Sequence, residues 1–289
     1  MPATIGGTGA AGLERSGSHR PDSIRFGPGA LGVERAEVYL ASRGFELHRH
    51  DTYGVGVTTA GVQVFRYRGA HRVCLPGQLH VLHPDERHDG GPGTGEGLGY
   101  RILYVAPELV GAALGGGGLP FVADPVQALT PATRPVASLL ADVDEPVSDL
   151  ARAEIAAAIA DCLVVLAGRP RPRPARLDAA AVERVREHLA AHAREQTPAA
   201  LLEEIAGTDR YSIARQFRSA FGTSPDRYRT LRRLALARAA IECGQPLADV
   251  AAGTGFADQS HMTRQFKRTY GLTPARWAAL TAGRCETRS

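Results

Sequence analysis

The sequence predicts a two-domain α+β protein: a β-sandwich or barrel with trailing helices, then an all-α domain carrying two helix-turn-helix units. Three observations predict it. At 289 residues, the chain has length for about two domains of roughly 150 residues each. From Ser23 to Pro107 short alternating apolar runs are cut by glycine and proline, whereas past Pro131 the pattern turns alanine-rich and helical. One phrase is written twice, as "ARQFRSAFGTSPDRY" from Ala214 and "GFADQSHMTRQFKRTYGLTPARW" from Gly255.

Taken in order, residues 1–22 are rich in Gly, Ser, Ala and Thr and read as a disordered tail. Residues 23–168 form the first domain. Its strands are expected in "FELHRHD", "YGVGVTT", "VQVFRYR", "HRVCLPG", "QLHVLHP" and "YRILYVAP", with "GGPGTGEGLG" (Gly90 to Gly99) and "GAALGGGGLP" as loops. Two helices follow, and the second carries Ile155, Ile159, Leu163 and Leu166 at spacings of three to four. That stripe suits packing on its own domain or on a second copy of the chain. Alternating prolines make 169–177 a stiff extended linker. Residues 178–282 are helical: Asp178 caps one helix, Thr197 caps a second with Pro198 at its first position, and a long helix runs from Ser224 to Cys243 between the two phrases.

The two phrases align at a shift of 49. Arg215 meets Arg264, Gln216 meets Gln265, Phe217 meets Phe266, Gly222 meets Gly271 and Pro225 meets Pro274. A short apolar helix precedes each, so each unit reads as helix, tight turn, helix, the arrangement that presents a second helix to the major groove. In the second unit Met262, Phe266 and Tyr270 make the buried stripe, leaving Gln259, Ser260, His261 and Arg264 outward. In the first, Ile213 and Phe217 point inward and Arg210, Tyr211, Ala214 and Arg215 outward. Gln can read adenine and Arg guanine. The 20-residue helix between the copies spans about 30 Å, close to the roughly 34 Å of one duplex turn. The reading helices are therefore expected to enter successive major grooves.

Charge agrees with a nucleic-acid partner. From Asp178 onward there are 17 Lys+Arg against 12 Asp+Glu. Every basic side chain but Lys267 is arginine, whose planar fork suits phosphates and guanine edges. Arg227, Arg229, Arg232 and Arg233 cluster where the long helix begins and can hold phosphates, which supply affinity but no sequence information. Four scattered cysteines form no zinc or disulfide framework. With no signal-peptide pattern and no membrane-length apolar run, a cytoplasmic protein without a membrane partner is expected.

The second phrase resembles the signature of the AraC/XylS-type bacterial transcription regulators, over the C-terminal third of the chain. The resemblance implies a seven-helix DNA-binding domain with base-reading positions at Tyr211, Ala214 and Arg215 and at Gln259, Ser260, His261 and Arg264. The first unit departs from the pattern. Ile205 to Phe217 is four residues shorter than Val250 to Phe266, so its scaffold helix or turn is clipped, and Ala214 has no polar group for readout.

In the N-terminal half, "ELHRHDTYG" places His48 and His50 two apart, a spacing that on a strand puts both on one side. "PGQLHVLHPDERHDG" adds His80, His83 and His88, of which His80 and His83 have opposite parity. Two histidines at i, i+2 and a distant third can bind zinc, iron or nickel, can hydrogen-bond a small effector, or can be satisfied within the core. The pattern resembles the cupin barrel that precedes the DNA-binding domain in many of these regulators, which makes the first domain cupin-like. Metal-dependent cupins usually add a carboxylate soon after His-x-His; here Tyr53 to Val57 offers none. The expected site is a sensor pocket of His48, His50, Tyr53 and His88, with Arg66 and Tyr100 as weaker members, no metal and no cofactor.

Together these readings imply a ligand-responsive, sequence-specific transcription regulator, acting as an activator or a repressor, and not an enzyme. Its partners are double-stranded DNA, a small effector, RNA polymerase and a second copy of the chain joined through Ile155, Ile159 and Leu163. The alternative is a metal-dependent cupin enzyme fused to a DNA-binding domain.

Overall fold

A computed structural model describes residues 20–116, 118–169 and 178–281. The sequence-predicted tail and linker fall almost wholly outside the described residues, although Arg169 lies within them. The first domain holds β1 (Ser23–Phe26), β2 (Val33–Leu40), β3 (Phe45–His48), β4 (Tyr53–Gly61), β5 (Gln63–Tyr67), β6 (Ala70–Cys74), β7 (Leu79–Leu82), β8 (His88–Pro92) and β9 (Leu98–Val105). Helix α1 (Pro107–Ala113), strand β10 (Val126–Gln127), α2 (Arg134–Leu139) and α3 (Asp149–Leu166) follow. A six-stranded sheet in the order β1-β2-β9-β4-β7-β10 faces a four-stranded one, β3-β8-β5-β6. Among the described residues the strands pair antiparallel.

Alternation along the strands decides what each face meets. Val33, Tyr53, Val55, Leu79, Val81, Leu103 and Val105 point to the helices and pack with Val110, Ile155, Ile159 and Leu163. The alternate residues Ala36, Val38, Tyr100 and Ile102 point between the sheets. The larger sheet is thus a middle layer. The apolar stripe of α3 closes this domain's own core, with Ile155, Ile159 and Leu163 at most 2% exposed. It has no surface left for a second chain, which corrects the expected dimer contact.

The run from Gly90 to Gly99 is not all loop. Gly90, Gly91 and Pro92 belong to β8 and pair with β3 and β5. Glycines carry no alternation signal, yet one is required here: a Cβ on Gly91 would come within 2.7 Å of the Gly44 Cα.

The second domain has seven described helices: α4 (Ala179–Ala191), α5 (Ala199–Ala206), α6 (Arg210–Phe221), α7 (Pro225–Glu242), α8 (Leu247–Gly253), α9 (Gln259–Tyr270) and α10 (Pro274–Thr281). One core gathers Val182, Val185, Leu189, Leu202, Ile213 and Phe217 under the first unit. Another gathers Leu234, Ile241, Val250, Met262 and Phe266 under the second. The long helix α7 joins them and is about 27 Å long at 1.5 Å per residue.

The two domains share packing. Leu150 of α3 completes the core of the first unit, and Tyr211 of α6 packs against the core of the barrel domain.

Candidate nucleic-acid interface and sensor pocket

Each reading helix is built by its own caps. Asp209 accepts from the Tyr211 and Ser212 amides to start α6, and Asp258 accepts from the His261 amide to start α9. Gly222 at φ 68° and Gly271 at φ 76° end them in the left-handed conformation that side-chain-bearing residues avoid. Both helices have 12 residues. The clipping of the first unit is shared between its turn and its scaffold helix: residues 207–209 join α5 to α6 whereas 254–258 join α8 to α9, and α5 ends one residue past Ile205 whereas α8 runs three past Val250.

The second unit presents Gln259, Ser260 and Arg264 to solvent. His261 does not join them; it is buried against Phe256, with Nε2 3.3 Å from Glu145 Oε1. Gln265 is also buried and donates to the other oxygen of Glu145. The sequence places His261 outward because Glu145 lies 116 residues away in another domain.

The first unit is covered by the barrel domain. Arg215 donates through Nε to both oxygens of Asp161 at 2.9 and 3.1 Å, and through its terminal nitrogen to the Ala113 carbonyl at 3.0 Å. Arg210 pairs with Glu203 at 2.8 Å and Asp149 at 3.3 Å. Ala214 is 4% exposed, and Tyr211 packs on the barrel core. The face expected to be open thus lies under α1 and α3.

The expected phosphate arginines divide. Arg232 is exposed. Arg227 donates to Gln265 and Thr269, each at 2.9 Å, and so braces α7 against α9. Arg229 pairs with Asp226 at 2.8 Å, and Arg233 donates to the Ala193 and Glu195 carbonyls at 2.6 and 3.0 Å. Both are buried, so neither is open to a phosphate; charge pattern alone cannot separate a buried brace from an open contact. Gln216, repeated in the first phrase, likewise has a structural task, accepting from the Asp178 amide at 2.9 Å.

Thr197 does not cap α5: its hydroxyl is buried without a partner. Asp149 of the barrel domain takes that place by accepting from the Ala199 amide at 2.9 Å.

In the barrel domain, His48 and His88 are cross-strand partners. Their rings lie 4.4 Å apart, and His50 lies 4.8 Å from His88. His50 stands just past the end of β3, so ring packing rather than strand parity brings it in. Each ring is turned by a nearby carbonyl: His48 Nδ1 to Glu46 O at 2.7 Å, His50 Nδ1 to Thr52 O at 3.0 Å, His88 Nδ1 to Glu86 O at 3.0 Å. A carbonyl only accepts, so in the neutral form of each ring the proton sits on Nδ1 and Nε2 carries the lone pair. Burial pushes His88 down to about 4 and lowers His50.

Tyr53 does not join these histidines. It lies on the opposite face of the sheet and donates to the Pro120 carbonyl at 3.4 Å. Arg66 is turned outward to Asp89. Parity does separate His80 from His83. His80 faces between the sheets with both ring nitrogens unpartnered. His83 faces the other way, bonded to Tyr67 and accepting from the Val122 amide at 3.0 Å. Among the described residues no three His, Cys, Asp or Glu side chains are grouped as ligands of one metal ion. The cavity bounded by His48, His80, His88, Tyr100 and Tyr104 measures about 70 Å³. A larger cavity of about 510 Å³ lies between the domains, bounded by Arg35, Glu154, Arg218, Arg227 and Arg268.

With this geometry in place, similarity to known proteins is informative. Residues 30–163 match the model of the AraC-like ligand binding domain, and residues 202–279 match that of a helix-turn-helix domain. The chain is 29% identical over 229 residues, 75% of its length and 81% of the relative's, to the uncharacterized HTH-type transcriptional regulator YbfI of Bacillus subtilis. It is 33% identical over 87 residues, 30% of its length and 35% of the relative's, to the probable transcriptional regulator LumQ of Photobacterium leiognathi. Among solved structures, ToxT from Vibrio cholerae aligns with 87% of this chain and all of that one, at 11% identity and a TM-score of 0.36. A probable AraC family transcriptional regulator from Rhodopseudomonas palustris aligns with 35% of this chain and 96% of that one, at 22% identity and a TM-score of 0.34.

Proposed function

Starting from a chain that belongs to the AraC/XylS-type transcription regulators, we propose which of its residues carry the ligand-responsive DNA binding of that family. The observation that carries the reading is the exposed trio Gln259, Ser260 and Arg264 on a capped helix, matched by a second capped helix of the same length. Arg264 reads a guanine edge, and Gln259 and Ser260 read or orient beside it. Arg232 holds a phosphate. Arg210, Tyr211, Ala214 and Arg215 contact DNA only once α6 is clear of the barrel domain. His261, held against Glu145 of the barrel domain, likewise contacts DNA only once that contact opens. The regulator reading is favoured over the fused metalloenzyme.

The effector meets His48, His50 and His88, whose Nε2 lone pairs accept hydrogen bonds. The adjoining cavity of about 70 Å³ is well below the usual size of a small-molecule site, roughly 300–1,000 Å³. Binding there therefore requires side chains to move, and that movement is the signal sent through the sheet to α3. The same reading carries a cytoplasmic homodimer that contacts RNA polymerase. Its dimer contact lies away from Ile155, Ile159 and Leu163; the edge strand β1 offers Ile24 and Phe26, both more than half-exposed or at half.

Arg264→Ala is expected to lower affinity for a selected site by about 1–3 kcal/mol and to relax preference at one base pair. Fluorescence anisotropy on matched and mismatched duplexes measures it. Equal weakening on random DNA would falsify the base-reading role.

A further inference from the structure

We propose that Glu145, Asp149 and Asp161 form an acidic face on the sensor domain that takes the place of duplex DNA, so that the arrangement described is self-masked. The inference rests on the reading that α6 and α9 contact DNA, and goes beyond it by assigning a competitor for that surface.

The chemistry of the contacts leads there. Asp161 presents both oxygens to the Nε of Arg215, at 2.9 and 3.1 Å. Asp149 accepts from Arg210 at 3.3 Å and from the amide at the start of α5 at 2.9 Å. Glu145 accepts from Gln265 and meets His261 of α9. Arginine forks, glutamine amides and helix N-termini are the groups that hold phosphates and base edges in protein–DNA complexes. Here three carboxylates, each offering two acceptor oxygens on a negative group, hold the same kinds of donor. Asp149 and Asp161 lie about 18 Å apart along α3 at 1.5 Å per residue, so the face runs along the first unit rather than touching one point.

Sterics and energetics make it a mask rather than a permanent joint. α3 covers α6 so closely that Ala214 is nearly sealed, and a duplex cannot enter the groove-facing side of α6 while α3 is there. Yet the Arg215–Asp161 pair remains partly open to water, with side-chain exposures of 31% and 42%. Such pairs hold weakly, and a highly charged duplex can displace them. The apolar part of the joint runs through Leu150, which lies in the core of the first unit, and Tyr211, which packs on the core of the barrel. Gln259, Ser260 and Arg264 stay exposed throughout, so the masked chain keeps half of its reading surface. Masked and open states form a two-state equilibrium that any ligand with unequal affinity for them will shift.

The experiment uses the full chain and a pool of 30-base-pair random duplexes enriched on the wild-type protein. Asp161→Asn and Glu145→Gln remove negative charge without touching any residue assigned to DNA contact. Each is expected to tighten binding threefold or more, and the pair tenfold or more, with the footprint lengthening by about one half-site. Circular dichroism melts of both variants confirm that they fold. On the wild-type chain, adding the enriched duplex should speed hydrogen exchange in α1 and α3 as the joint opens. Affinities within twofold of wild type in both single variants and the pair overturn the proposal, as does unchanged exchange in α1 and α3 while Arg264→Ala still weakens binding to the enriched duplex. If instead Arg264→Ala leaves binding intact, the DNA-reading premise itself fails, and the acidic face has no duplex to replace.

Discussion

Glu154 shows at the scale of one residue how the interdomain joint can report on solution conditions. It is fully buried between α3 and the start of α7, and its Oε1 accepts from the Asp226 amide at 2.8 Å. Burial first, and the neighbouring Asp226 carboxylate second, push its carboxyl up to about 8, with Arg218 and Ser224 opposing. The joined, folded state therefore binds a proton that the exposed side chain would release at its usual value near 4.5. Its contribution to stability is whole below about 4.5 and is lost as pH rises towards 8, at up to roughly 1.4 kcal/mol per pH unit for one proton. Glu154→Gln keeps an acceptor oxygen and removes the titration. Denaturant unfolding at pH 5.5 and pH 8 should show a smaller difference for the variant than for the wild-type chain; an identical difference would rule out Glu154 as its source.

Among the elements, the reading helices owe their form to local signals. Asp caps, left-handed glycine ends and apolar stripes at four-residue steps all lie within or just before the repeated phrase, which is why the sequence shows where α6 and α9 lie. Phe266 anchors α9, fully buried with Tyr270 at 4.6 Å and Trp277 at 5.8 Å between ring centroids. Phe266→Ala should cost about 3–5 kcal/mol of the second unit's stability, seen as a lower melting temperature together with loss of DNA binding. A melting temperature within experimental error of wild type would contradict this packing account. Elements whose definition depends on distant partners were less legible. β8 was lost in a glycine run, α5 is capped from another domain by Asp149, and His261 faces a glutamate instead of water.

For the whole molecule, two sets of buried titratable groups oppose each other. Burial pushes His80 down to about 3 and His83 and His88 down to about 4. The folded barrel thus holds these rings neutral, a contribution complete above about 6.5 and lost as pH falls from there towards 4. Glu154 weakens the joint as pH rises. Thermal melts across pH 4–9 should therefore peak near pH 6, with a steep acid limb from the barrel; a profile flat from pH 6.5 to 4 would refute neutral burial of the three histidines. The β-rich first domain and the helical second one were legible because periodicity and turn chemistry are short-range; the seven-helix count came from the resemblance carried by the repeated phrase. Tyr53 was misplaced because strand parity says which residues share a face but not what lies on the far side of a sheet.

By itself the sequence determined the two architectures and the paired helices, since each follows from residue spacing within a few turns of helix or one strand pair; the grouping of His48, His50 and His88 needed the cupin resemblance as well. Only the tertiary structure decided that α3 is enclosed, that Tyr53 stands apart from the histidines and that Arg215 rests on Asp161. Those facts depend on which faces meet across 50 to 120 residues of chain, and burial and charge pairing at that range leave no local pattern to read.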